Sequence, residues 1–206
     1  MIDHLVYATP DLEATRAALG STWGISLVPG GPHLGRGTRN YLAGLGNGTY
    51  LEVIGPDPDQ PTPAGPRSFG VDDLTDERLV TWCARPQRPL AEVTQRARAA
   101  GYDMGSIIAM SRRRPDGVLL EWKLTVKSGE PNPLIPFCID WGTTPHPSES
   151  LSNTTTLRTL RFTDADPESV AAVIAAIGED VEVELGPTAV EADLVTPRGL
   201  LTLRSR

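Results

Sequence analysis

Histidine and cysteine, two of the residue types best suited to acid–base or metal chemistry, are rare in this chain of 206 residues. Only 3 histidines are present, His4, His33 and His146, so the position of each one matters. His4 lies in an apolar, strand-like run, and Glu52 has apolar neighbours in another such run. A carboxylate in apolar surroundings requires a partner, because an unpaired charge is unfavourable there. Glu52 is therefore a candidate catalytic residue. The alternatives are a core histidine at position 4 and a solvent-facing strand residue at position 52.

Other side chains are candidates for binding a ligand. Arg112 and Arg113 are predicted either to anchor an anionic group, because a guanidinium pairs with a carboxylate through two hydrogen bonds, or to lie on a solvated hairpin. Trp82 and Trp141 are candidates for the wall of an apolar pocket, with core packing as the alternative. The glycine-rich passage 30–37 is not a phosphate loop, because it lacks the Gly-Lys-Ser/Thr ending.

Composition excludes several classes of function. The net charge of -7 repels nucleic-acid phosphates, so nucleic acid is not an expected partner. No window approaches the roughly 18 apolar residues that a membrane helix needs, and the N-terminal residues lack the pattern of a signal peptide. Cys83 and Cys138 lie in apolar runs and predict a buried, reduced pair. Together these features predict a cytoplasmic protein without a membrane partner.

The elements that would position these side chains follow a repeated order. Residues 1–56 read as a strand, a helix that ends before Gly20, an irregular glycine-rich strand and two more strands. Gly46-Asn47-Gly48 between the last two apolar runs is a strong hairpin signal. The predicted elements are Ile2–Tyr7, Leu12–Leu19, 29–38, Asn40–Leu45 and Thr49–Ile54.

The same order recurs twice after a proline- and aspartate-rich connector at 57–76. A second unit covers 78–142 and contains a hairpin with Pro115-Asp116-Gly117 as its turn. A third, diverged unit covers 157–206. A supersecondary unit met three times predicts one α+β domain, spanning 1–206, of repeated β-α-β-β-β modules.

Several of these segments resemble the glyoxalase-like members of the vicinal oxygen chelate superfamily. Ile2-Asp3-His4-Leu5-Val6 is similar to the first strand of such a module, and Thr49-Tyr50-Leu51-Glu52-Val53-Ile54 is similar to its last strand. Residues 110–117 and 136–147 resemble a second module. The resemblance covers residues 1 to about 147 well and the rest weakly. It implies a cupped, partly closed mixed β-sheet with helices outside and a small-molecule pocket inside.

In that superfamily the first and last strands of each module supply the ligands of a divalent metal ion. Carried over, the resemblance implies His4, Glu52 and Asp140 as ligands of Zn, Mn, Fe or Ni, and counting back from the second helix places Trp82 at the fourth position. Asp140 could instead cap the turn at Gly142. His146, between two prolines, is expected on a rigid part of the surface, with a position facing the pocket as the alternative. The predicted substrate-binding residues are Arg112, Arg113, Trp82, Trp141, His33 and Asn40. For His33, which lies in the glycine-rich passage, a solvent-exposed position is equally open.

These observations leave three functions open. The first is a metal-dependent lyase, isomerase or dioxygenase, in which the ion stabilises a developing enolate or holds O₂. The second is a metal-free small-molecule binding protein of the bleomycin-resistance type, which Trp82 at the fourth position favours. The third is a silent domain in which His4 and Glu52 merely pair. The expected partner is a small molecule, anionic if an arginine reaches the cup, and the sequence leaves both a monomer and a homodimer open.

Overall fold

The computed structural model describes residues 1–113, 117–127 and 131–205, so Arg114 and most of the predicted turn at 115–117 lie outside the described residues. The strands are β1 (Ile2–Ala8), β2 (Val28–His33), β3 (Thr38–Gly44), β4 (Tyr50–Pro56), β5 (Arg78–Ala84), β6 (Ser106–Arg113), β7 (Leu119–Val126), β8 (Phe137–Asp140), β9 (Thr156–Asp164), β10 (Val183–Leu185), β11 (Ala189–Thr196) and β12 (Gly199–Arg204). The α-helices are α1 (Leu12–Trp23), α2 (Leu90–Ala99) and α3 (Pro167–Ile177), and short 3-10 helices cover Ser68–Asp73 and Pro147–Ser150.

Eight strands form one strongly curved sheet with the order β2-β3-β4-β1-β5-β8-β7-β6. The first and last strands pair in parallel in both halves, β1 with β4 and β5 with β8, and the halves join where β1 runs antiparallel to β5. β2 and β6 stand at opposite ends of this order and yet contact each other. The sheet is therefore an almost closed cup, which confirms the predicted α+β fold. We call residues 1–56 module 1 and residues 78–142 module 2.

Strand alternation separates the two faces of this sheet. On the convex face, Leu5 and Leu51 pack into the main core beneath the helices. On the concave face, Val6 and Ile54 pack with Val71 of the first 3-10 helix, and the Val71 side chain is 2% exposed. The predicted connector 57–76 thus covers part of the cup in addition to linking the modules.

Helix α1 shows how local sequence sets these elements. Asp11 caps its N-terminus by accepting a hydrogen bond from the Ala14 backbone N–H at 3.0 Å. The prediction that the helix ends before Gly20 is wrong, since it continues to Trp23. Gly24 ends it, because its φ of 71° is a left-handed conformation that glycine adopts without a steric penalty.

The third unit has the predicted order of elements but a different strand order. Its four strands are arranged β10-β9-β11-β12. The first strand of the unit, β9, thus lies between β10 and β11, whereas in module 1 the first strand, β1, lies beside the last, β4. The inner face of this small sheet packs on the convex side of the large one, with Phe162 against Trp82 at 5.5 Å between ring centroids. None of the helices in the described ranges is long and apolar enough to cross a membrane.

The two cysteines lie on neighbouring strands and on opposite faces. Both are buried and free, as predicted. Cys83 packs on the concave face and Cys138 belongs to the convex core. Burial raises the pKa of the Cys138 thiol to about 12 and holds that of Cys83 well above its usual value, so both are thiols at neutral pH.

Candidate metal and substrate site

An irregularity in β1 brings two neighbouring polar side chains to the concave face. Ile2 pairs with Ala84 and His4 with Cys83, so Asp3 is an extra residue in this strand. Such a bulge re-aims side chains that would otherwise alternate between faces. Asp3 and His4 therefore point into the same region, and the Asp3 Oδ1 and His4 Nδ1 atoms are 2.7 Å apart. Both side chains are buried.

His4 and Glu52 lie side by side across the pairing of β1 with β4. His4 Nε2 is 3.6 Å from Glu52 Oε2, and the two residues are 4% and 8% exposed. The Tyr50 ring stacks on the imidazole at 4.7 Å, and the Phe137 ring contacts it edge-on at 5.5 Å. The imidazole is thus held in place on both sides, with one nitrogen towards each carboxylate.

A second group of polar side chains holds the other oxygen of Glu52. The Asn40 amide donates to Glu52 Oε1 at 2.5 Å, and its own oxygen accepts from Arg112 Nη1 at 2.8 Å. This contact between Asn40 and Arg112 crosses the gap between the edge strands β2 and β6. It passes over Gly30 of β2, where a Cβ atom would overlap both side chains. Arg112 is 5% exposed, so the guanidinium is part of the cup interior.

His33 extends this group. Its Nδ1 lies 3.0 Å from the Thr38 hydroxyl, and the Asn40 amide nitrogen lies 3.3 Å from its Nε2, which is 3.8 Å from Glu52 Oε1. Burial lowers the pKa of His33 and outweighs the opposite effect of Glu52, so the imidazole is neutral at pH 7. A neutral His33 accepts from Asn40 and donates to Thr38.

Asp3 is the centre of a third group, and its oxygens face several donors. Its Oδ2 is 2.9 Å from His146 Nε2 and 3.0 Å from Trp141 Nε1, and Arg85 Nε lies 3.6 Å away. Burial alone would raise the pKa of Asp3, but hydrogen bonds from His146 and His4 outweigh it, so the pKa lies well below the usual range. The prediction that His146 lies on the surface is wrong, because the residue is 8% exposed. All three histidines of the chain therefore meet at two buried carboxylates.

The structure does not bring Trp82 or Asp140 to this group. Trp82 pairs with Leu5 on the convex face and donates to the Leu134 carbonyl at 2.7 Å, whereas Cys83 pairs with His4. Counting back from the helix start fails because the connections before α1, at 9–11, and before α2, at 85–89, differ in length, so the count does not preserve the register of β5. Asp140 is exposed and accepts from the Gly142 backbone at 2.9 Å, as its turn-capping alternative expected.

Strand pairing identifies the corresponding positions in module 2. Phe137 pairs with Cys83 as Tyr50 pairs with His4. Two residues further on, Ile139 occupies the place that Glu52 has in module 1, and it packs on the concave face with Cys83, Trp122 and Trp141. Arg113, unlike its neighbour Arg112, is exposed and donates to the Gly117 carbonyl at 2.8 Å. Module 2 thus supplies mainly an apolar wall.

The donor atoms at His4 and Glu52 fit a divalent ion. Two atoms that each lie about 2.1 Å from one ion at a tetrahedral angle are about 3.4 Å apart, close to the Nε2–Oε2 distance. A hydrogen bond from His4 Nδ1 to a carboxylate is also a common arrangement for a metal-binding histidine. An overlapping set consists of Asp3, His4 and Cys83, whose donor atoms lie within 4.8 Å of one another.

Comparison with known proteins places this chain in a family. The family model described as "Glyoxalase-like domain" matches residues 2–178. The chain therefore belongs to the glyoxalase-like domain family, as the resemblance predicted. Sequence comparison with curated proteins finds no match.

Solved structures share the fold at low identity. A hypothetical protein from Staphylococcus aureus superposes with a TM-score of 0.65 at 16% identity, covering 98% of this chain and 84% of its own. A mutant 4-hydroxymandelate synthase from Streptomyces coelicolor gives 0.47 at 14% identity, covering 98% and 62%. Methylmalonyl-CoA epimerase from Mycobacterium tuberculosis gives 0.43 at 16% identity, covering 67% and 85%. At such identities the likeness to the Staphylococcus protein shows the fold alone.

Proposed function

We propose that this protein is a divalent-metal-dependent lyase, isomerase or dioxygenase, with His4 and Glu52 as its metal ligands. One observation carries the proposal: His4 Nε2 and Glu52 Oε2 face each other at 3.6 Å. His4 Nδ1 is within hydrogen-bond distance of Asp3, which assigns the ring proton to that nitrogen and leaves Nε2 as an acceptor. Two acceptors that face each other without a proton between them are stabilised by a cation.

The bound ion would act as a Lewis acid towards oxygen atoms of the substrate. The protein's own groups have separate tasks in this proposal. Asn40 orients Glu52 by donating to its second oxygen, and Arg112 places a positive charge at the far side of the same amide. We therefore propose a small anionic substrate, whose charged group pairs with Arg112 and whose apolar part contacts Trp122 and Trp141.

The metal-free alternative has an observation in its favour. The module 2 positions that correspond to His4 and Glu52 hold Cys83 and Ile139, and an isoleucine cannot bind a metal ion. A protein that only sequesters a ligand needs the cup and Arg112 but no ion. In that case His4 would be an imidazolium shared by Asp3 and Glu52.

Metal analysis separates these alternatives. The protein is purified without a histidine tag, its metal content is measured, and Zn²⁺, Mn²⁺, Fe²⁺ and Ni²⁺ are titrated calorimetrically into the metal-free protein. We expect one ion per chain, and loss of binding in the double variant with His4→Ala and Glu52→Ala, because two of the few protein ligands are gone. The control is Asp140→Asn, which alters an exposed carboxylate. Failure of the wild type to bind any of the four ions, or full binding by the double variant, would overturn the proposal.

A further inference from the structure

We infer that Asp3 is a positioning residue that holds His4 in the tautomer with a bare Nε2 and joins the segment after module 2 to the site. The inference rests on the proposed function, since it concerns how a proposed metal ligand is prepared. It assigns a role to a residue that touches neither Glu52 nor, in our proposal, the ion.

The surroundings of Asp3 fix which of its neighbours are donors. The Trp141 indole N–H can only donate. The Ser148 backbone N–H donates to His146 Nδ1 at 3.3 Å, and the Ser148 hydroxyl, 2.7 Å from the same nitrogen, can donate as well. Nδ1 therefore accepts, and the proton of His146 is on Nε2, directed at Asp3. Asp3 Oδ2 therefore accepts from two N–H groups, at 2.9 Å and 3.0 Å.

The other oxygen of Asp3 then decides the state of His4. Asp3 is 0% exposed, and a buried carboxylate is stabilised when each oxygen accepts hydrogen bonds. Its Oδ1, 2.7 Å from His4 Nδ1, accepts the ring proton there. The lone pair of His4 Nε2 is thus directed at Glu52, and His146 contributes to the site through Asp3 although it lies beyond β8.

The overlapping donor set of Asp3, His4 and Cys83 makes the opposite prediction. If those three residues bound an ion through His4 Nδ1, that nitrogen could not carry a proton. The nitrogen of His4 that keeps its proton after one equivalent of Zn²⁺ is added, read from the ¹⁵N spectrum, therefore distinguishes a positioning role for Asp3 from a ligand role.

Asp3→Asn is the informative variant, because an amide has one oxygen and one NH₂ group. Two donors hold the oxygen of the new side chain on the side of His146 and Trp141, so its NH₂ faces His4 Nδ1. Nδ1 must then accept, and the proton moves to Nε2, where it points at Glu52. The same substitution in a serine-protease triad, a well-known precedent, leaves the geometry intact and imposes the wrong tautomer.

The experiment records the ¹⁵N spectrum of the histidine side chains in metal-free wild type, Asp3→Asn and, as a matched control, Asp140→Asn. In the wild type we expect Nδ1–H and a bare Nε2 on His4, and in Asp3→Asn the reverse. Calorimetry on the same samples should show a metal affinity about 10- to 100-fold lower for Asp3→Asn and unchanged for Asp140→Asn.

Each outcome decides the inference. A wild-type His4 that carries its proton on Nε2, or on both nitrogens, overturns it, and this spectrum needs no variant to fold. A folded Asp3→Asn with the wild-type tautomer also overturns it. If the wild type binds no metal but the tautomer switches as expected, the positioning role stands and the proposed function fails. If Glu52→Gln abolishes metal binding and Asp3→Asn leaves both tautomer and affinity unchanged, only the present inference fails.

Discussion

Replacing Arg112 by methionine removes the positive charge from the cup and keeps a flexible side chain of similar length. Arg112 is 5% exposed and donates to Asn40 Oδ1 at 2.8 Å. Its neighbour Arg113 is exposed and bonds to the Gly117 carbonyl, so Arg113→Met is a matched control that removes the same charge from outside the cup.

The magnitude follows from these contacts. A hydrogen bond to a charged group contributes about 1.5–3 kcal/mol, so Arg112→Met should weaken binding of an anionic ligand about 10- to 150-fold. The change also leaves the Asn40 oxygen without the Arg112 donor, which costs about 1–3 kcal/mol of stability. For Arg113→Met we expect less than about 0.5 kcal/mol in stability and no measurable change in affinity.

The assay is a thermal-shift screen of small carboxylates, enols and aromatic diols, each compared with a neutral analogue, followed by calorimetry on the best ligand. Anionic compounds should stabilise the wild type and Arg113→Met more than their neutral analogues, and this preference should disappear in Arg112→Met. If anionic compounds stabilise all three proteins equally, Arg112 does not anchor the ligand and the anionic substrate class is wrong.

Two further predictions concern the packing and the third unit. Trp82→Ala should lower the free energy of unfolding by about 3–5 kcal/mol in chemical denaturation and leave ligand affinity per folded molecule unchanged, because Trp82 packs in the convex core. Hydrogen bonds from Arg161 and Thr202 lower the pKa of Asp193 below its ordinary value of 3.8. The ionised Asp193 carboxylate therefore stabilises the fold at pH values above 3.8, and this stabilisation is lost as the pH falls and the carboxylate is protonated. Asp193→Asn should lower the melting temperature most at pH 7, and the difference from the wild type should shrink below pH 3.8.

The fold was predictable because strong local signals agree with the family pattern. Asp11 marks the start of α1, and Asn47 with its flanking glycines joins β3 to β4, so these elements of module 1 follow from capping and turn chemistry. The end of α1 at Gly24 was not predicted, because Gly20 offers the same signal four residues earlier. The strand order of the third unit was not predictable in this way. Which strands become neighbours depends on packing against Trp82 and the rest of the convex face, and that information is spread over the whole chain.

The residues of the candidate site could be predicted only where counting along a strand assigns each side chain to the correct face of the sheet. The adjacency of His4 and Glu52 follows from the family resemblance together with strand alternation inside module 1. In module 2 an error of one residue moves a side chain to the other face, so counting from the helix selected Trp82 instead of Cys83, and the carry-over of the last-strand position selected Asp140 instead of Ile139. Asp3 was missed because a bulge alters alternation without leaving a sequence signal.

The two halves of the cup are alike in backbone and unlike in chemistry, and this asymmetry restricts the ligand. Module 1 provides His4 and Glu52, whereas module 2 provides Arg112 and an apolar wall. Under the proposed function, an ion held by two protein donors must complete its coordination with water or substrate oxygens. A divalent ion and a guanidinium, opposed by Asp3 and Glu52, leave the site net positive when the histidines are neutral. A ligand that chelates the ion and carries a negative charge satisfies both requirements at once, whereas a neutral chelator leaves buried positive charge uncompensated.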